Sequence, residues 1–271
     1  MVQAGLAPDL ASPKVAFAGL VLALGGLSLA PLAVFIVRRI FPGRSVFFAR
    51  WGFSHVLTAI GATLVFSLAI RSFLQAFEWQ LPQVLVEMLG SGVLFCGIGL
   101  LIVSFAQRLD PDGWRSLGLW PGRTARAVAA GCACYLLLLP AQWGMILLWP
   151  WTFETLGGSY EMQAVAQGIA DLEGHFLWLA FLSATVILPF LEELIFRAFL
   201  QPLLVQNLGD VGGIVLTSIL FAMLHGQSAF LPIFALSLLL GAIMLRTQRL
   251  LAAWVVHGLH NALSFSYLFA S

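Results

Sequence analysis

The sequence predicts an all-α fold, a polytopic transmembrane helix bundle of about eight spans with a polar site buried within the membrane. Three observations carry that expectation. Of the 271 residues, 61% are hydrophobic and only 9% are charged. A soluble fold of this length cannot hide so much apolar surface, whereas lipid tails solvate it. Apolar runs of bilayer-spanning length recur along the whole chain, and basic residues collect in alternate connections between them.

A hydrocarbon core of about 30 Å takes about 20 residues of helix. Runs of that kind lie at roughly 15–37, 53–75, 82–106, 127–150, 176–203, 211–226, 229–245 and 251–270. The first is longer than the apolar region of a signal peptide and ends in Arg38-Arg39, so it reads as a membrane helix. Arg38, Arg39, Arg44 and Arg50 fill the first connection, and the second carries Glu78 with no basic residue. Arg108, Arg115, Arg123 and Arg126 fill the third. The fourth carries Glu154, Glu161, Asp171 and Glu173, and Arg246 with Arg249 precede the last run. This alternation follows the positive-inside rule and predicts a cell (inner) membrane protein with both termini outside the cytoplasm. Trp51, Trp79, Trp149, Trp151 and Trp178 fall near span ends and read as interfacial anchors.

The chain divides into 1–126, about three spans and a cytoplasmic loop, and 127–271, whose polar residues cluster within 186–265. Loop 107–126 contains the turn sequence Asp110-Pro111-Asp112-Gly113. Loop 151–175 is acidic, contains Gly157-Gly158 and reads as a lid or a surface helix. Cys96, Cys132 and Cys134 lack paired spacing and read as small hydrophobes. A net charge of +1 offers nucleic acid no basic face.

An ionisable side chain in the bilayer interior is costly and marks a functional site by default. His55, Arg71 and Glu87 lie close enough to span ends to snorkel. The C-terminal part is different. Glu192 and Glu193 stand together in apolar sequence, and Arg197 shares a helical face with Glu193, so those two can pair. That leaves Glu192 without a counter-charge in its own segment, as a candidate general base. Pro189 just upstream removes a backbone hydrogen bond and predicts a kink. His225 follows in the next run; His257 and Asn261, four apart, share a face of the last. At about 1.5 Å per residue, Glu192, His225 and His257 lie roughly 10–20 Å deep. His260, three residues from His257, reads as a flank of the site.

Glu192-Glu193-x-x-x-Arg197, Phe221-x-x-x-His225 and His257-x-x-x-Asn261 resemble, in order, spacing and membrane setting, the three motifs of a known family. It is the type II CAAX prenyl endopeptidase family, also called the Abi, or CAAX protease and bacteriocin-processing (CPBP), family of intramembrane proteases. The resemblance covers about 80 residues and implies hydrolysis of peptide bonds inside the membrane, on membrane-associated or lipidated protein substrates. It assigns water activation to Glu192 and His225, oxyanion stabilisation to His257 and Asn261, and a supporting ion pair to Glu193 and Arg197. These residue types suit those roles.

Members of the family are often labelled metalloproteases, and Glu192, His225 and His257 offer a zinc set with an open position. The chain lacks His-Glu-x-x-His, and the Arg197 charge disfavours a dication, so the expectation is a site that requires no cofactor, with zinc as the alternative. Two other classes compete. A transporter would show repeats and broken helices; Pro140 and Pro189 permit the latter, yet no repeat is evident and the buried charges are confined to one half. A non-catalytic membrane scaffold would not need the whole set of motif residues.

Overall fold

The computed structural model describes residues 11–42, 49–76, 81–119, 122–160 and 164–270. Arg44, Glu78, Trp79 and Glu161, used above for charge alternation and interface position, lie outside the described residues. The described residues are mostly helical, with no strand among them. Backbone polar groups have no water to bond in hydrocarbon, and a helix satisfies them within itself.

Helix α1 (Pro13–Leu27) begins at an N-cap Ser12 and is followed, after Ser28 and Leu29, by α2 (Ala30–Ile40). The two occupy the first expected span. Helices α3 (Phe53–Gln75) and α4 (Gln83–Leu109) match the next two, and α5 (Thr124–Thr155) the fourth. The connection after α4 turns as its sequence demands. The Asp112 N–H donates to Asp110 Oδ1 at 2.9 Å, and a short 3₁₀ turn Gly113–Leu117 follows. The chain continues through α6 (Ala164–Ala170), α7 (Gly174–Leu182), α8 (Leu188–Glu193) and α9 (Gln201–Leu224) to α10 (Phe230–Thr247) and α11 (Leu250–Ala270).

Six stretches among the described residues are long and apolar enough to cross a membrane. One of them, Gly174–Leu224, runs for 51 residues, but it is two legs rather than one. Gly209 adopts φ 74° and ψ 173°, a conformation that suits glycine alone. Beyond it Gly213 lies against the backbone of Val205, so the chain doubles back. The expected spans 176–203 and 211–226 fall on either side of this reversal. The last helix, α11, is not among the six apolar stretches, and it is the one carrying His257, His260 and Asn261.

Small residues set the closest helix contacts. Gly19 and Gly26 of α1 meet Gly144 and Ala141 of α5 so closely that a β-carbon would strike backbone. With no hydrophobic drive between helices in lipid, such close van der Waals contact is what holds α1 to α5. Tyr135 of α5, Leu236 and Leu240 of α10 and Ala253 and Val256 of α11 form one core cluster. Ile98, Ile102 and Ala106 of α4 pack with Leu194, Ala198 and Phe199 in another. These clusters press α4, α5, α10 and α11 around the segment 183–200.

Two readings are sharpened here. Trp51 is no interfacial anchor. It is 2% exposed, stacks on Phe199 and donates from Nε1 to the Phe199 carbonyl at 2.8 Å. A tryptophan goes inside where its N–H finds an acceptor, and the Phe199 carbonyl supplies one. In the acidic connection α6 is a docked surface helix. Ile169 and, just beyond it, Leu172 are buried against Val84, Leu85 and Met88 of α4.

Candidate active site

The site is built on a disturbed stretch of helix. Between α7 and α8 the residues Ser183–Ile187 form a π-turn, and Leu194–Leu200 form a second one after α8. The Leu188 N–H bonds to the carbonyl of Ser183, five residues back. Pro189 has no N–H to give Thr185. The kink expected at Pro189 thus takes the form of a π-turn, a feature frequent at functional sites.

Helix α11 docks on the carbonyls this leaves. Trp254 Nε1 donates to Val186 O at 2.8 Å, and Asn261 Nδ2 donates to Ala184 O at 2.8 Å. Between them Gly258 faces Thr185 O with no space for a β-carbon. Positions 254, 258 and 261 lie on one helical face, so three successive carbonyls of α11's neighbour are met in register. His257 shares that face and is thereby delivered to the carboxylates.

Four charged or titratable groups then meet. Arg197 Nε donates to Glu193 Oε2 at 3.0 Å, and both side chains are 0% exposed. His257 Nδ1 donates to Glu193 Oε1 at 3.0 Å. The other ring nitrogen, Nε2, stands 3.7 Å from Glu192 Oε2, and Glu192 keeps 15% exposure. Arg197 Nη2 donates to Ser237 Oγ at 2.9 Å, and its guanidinium lies 5.0 Å from the Phe221 ring centroid. Glu193 is therefore held from both sides, and Glu192 is the carboxylate that keeps some exposure.

His225 ends α9. Its Nδ1 sits 2.8 Å from the Phe221 carbonyl and must donate there, so the neutral ring carries its lone pair on Nε2. The Phe221 ring lies 4.5 Å from that of His225 and 5.7 Å from that of His257, so both histidines pack against one aromatic ring. Both histidines lie within electrostatic reach of Glu192. His260 goes elsewhere. It is buried with Nδ1 3.0 Å from the Tyr135 hydroxyl, in the contact between α5 and α11.

The structure thus brings Glu192, Glu193, Arg197, His225 and His257 together and sets Asn261 one turn along from His257. It also adds residues that motif reading passed over. Ser237 is the lone polar side chain in an apolar run, which was a signal. Trp254 lies seven before Asn261, which was one too. Phe221 stood inside a motif with no role attached. Among the described residues no three His, Cys, Asp or Glu side chains stand grouped as metal ligands; the ring N–H that His225 gives to a carbonyl and that His257 gives to a carboxylate is compatible with either reading of the site.

Fold and site together define an integral membrane protein with a buried carboxylate–histidine cluster. Residues 174–263, in the C-terminal part of the chain, match the family model described as Type II CAAX prenyl endopeptidase Rce1-like, which is a protease family. No curated protein and no solved structure matches the chain.

Proposed function

We propose that this protein is an intramembrane endopeptidase that hydrolyses peptide bonds of membrane-associated or lipidated protein substrates. The observation that carries the reading is the split between the two carboxylates. Glu193 is neutralised by Arg197 and bonded to His257, while Glu192 keeps exposure beside two histidines.

Glu192 and His225 hold a water between them. Glu192 takes a proton from that water as its oxygen attacks the scissile carbonyl carbon, and passes the proton to the amine nitrogen when the C–N bond breaks. His257 with a proton on Nε2, and the second N–H of the Asn261 amide, donate to the oxyanion formed in between. Each such donor is worth about 3–4 kcal/mol. The first Asn261 N–H stays with Ala184 O, which fixes the amide in place. Glu193 and Arg197 hold His257 in register and touch no substrate atom. The reaction needs no resident metal in this reading. Placement in the cell (inner) membrane, with both termini outside the cytoplasm, completes it.

The test is peptide cleavage by the purified full chain in liposomes. Glu192→Ala and His225→Ala abolish cleavage while the thermal melt is retained; full activity in both variants sinks the assignment. The same assay with a chelator addresses the metal. Loss of activity that zinc restores overturns the metal-free reading.

A further inference from the structure

Away from the site, α3 and α4 line a cavity of about 680 Å³. Its size falls within the range of small-ligand pockets. It opens at the end of the bundle where α3 stops and α4 starts. Arg71 and Glu87 both line it, each about 6 Å, one turn, inside its helix end. That is the depth of a lipid's headgroup and glycerol region rather than of its acyl chains. Ile70 and Leu94, deeper along the two helices, supply apolar wall below.

The two opposite charges share the cavity but do not form an ion pair with each other among the described residues. Gln83 Nε2 donates to Glu87 Oε1 at 3.1 Å. That bond orients the carboxylate and leaves its other oxygen for a further donor. One wall of the cavity thus presents a fork of cationic donors, and the other an anionic acceptor.

We propose that this cavity binds the headgroup of a phospholipid with a primary amine, of the phosphoethanolamine type. Its phosphate lies against the Arg71 guanidinium, which suits phosphate geometry. Its ammonium donates to Glu87. The acyl chains follow the apolar wall into the bilayer. A quaternary ammonium has no N–H to give Glu87, and a glycerol headgroup has no cation. The site therefore discriminates among lipids by the amine.

The experiment uses the full chain in mild detergent, mixed with equal amounts of phosphatidylethanolamine, phosphatidylcholine and phosphatidylglycerol, with bound lipid read by native mass spectrometry. The expected result is preferential retention of phosphatidylethanolamine. Arg71→Ala and Glu87→Gln each lower it about tenfold or more, the effect of one lost charge-assisted contact. Ser91→Trp, which fills the cavity and leaves both charges, lowers it as well. N-methylation of the ethanolamine weakens binding progressively in the parent protein and not in Glu87→Gln. Equal retention of the three lipids, or retention unchanged in Arg71→Ala and Glu87→Gln, overturns the proposal. Cleavage activity is not the readout, so failure of this site leaves the protease reading untouched.

Discussion

Replacing Arg197 by Met removes the cation from a pair with no exposure at either partner. Glu193 then keeps one donor, His257 Nδ1 at 3.0 Å, and the Ser237 hydroxyl loses its guanidinium. Breaking a buried pair from one side costs about 3–5 kcal/mol, because the remaining charge stays buried without compensation. Glu193→Leu costs a similar amount by stranding Arg197. The double variant carries no buried charge at 193 or 197. Its remaining deficits are the Ser237 hydroxyl and the His257 ring, about 1–3 kcal/mol each. If the losses were independent they would sum to about 6–10 kcal/mol. The pair reading instead puts the double variant about level with either single one, a coupling of about 3 kcal/mol or more. Reversible SDS unfolding in mixed micelles, followed by tryptophan fluorescence, measures all four corners of the cycle. Additivity to within about 0.5 kcal/mol refutes the claim that Glu193 and Arg197 act as one neutralised unit. Cleavage is lost in all three variants, because each disturbs the seat of His257.

Two more predictions concern the docking of α11, and a third the contact of α1 with α5. Gly258→Ala drives a β-carbon into the Thr185 carbonyl, and lowers stability by about 1–3 kcal/mol while kcat falls; a variant as active and stable as the parent would show that α11 has slack there. Trp254→Phe removes the bond to Val186 O and lowers stability by about 1 kcal/mol, read in the same unfolding assay, with kcat falling more than KM changes. Gly144→Leu strikes α1 at Gly19 and Ala23. It is expected to separate α1 from α5, seen as loss of cross-linking between cysteines placed on the two helices, with the distant cluster around Glu193 unaffected.

Much of this protein was legible in the sequence for one reason: a bilayer imposes length and polarity on every span. The positions of α3, α4 and α10 followed from apolar run length, and the turn at Asp110 from its residues. The Glu193–Arg197 pair followed from helical spacing, because an i, i+4 contact is local. The same local logic put His257 and Asn261 on one face of α11. Sequence also separated Glu192 from its neighbour, since Arg197 can reach only one of two adjacent carboxylates.

Contacts between distant segments were decided only by tertiary structure. Run length marked two spans between 176 and 226 but not the reversal at Gly209, which depends on a positive φ and on Gly213 meeting Val205. Pro189 announced a disturbance, yet its form as a π-turn, and the α11 donors that meet the carbonyls of Ala184 and Val186, appear only in the tertiary structure. Trp51 looked like an interfacial residue until Phe199, 148 positions away, offered its carbonyl. His260 stood beside His257 in sequence and was drawn off to Tyr135 of α5. Composition and spacing act within one helix, and they determined which groups are buried and which face they share. Which carbonyl, ring or hydroxyl each buried group then meets depends on how helices cross, and that is settled by the small residues and disturbed turns that let them approach.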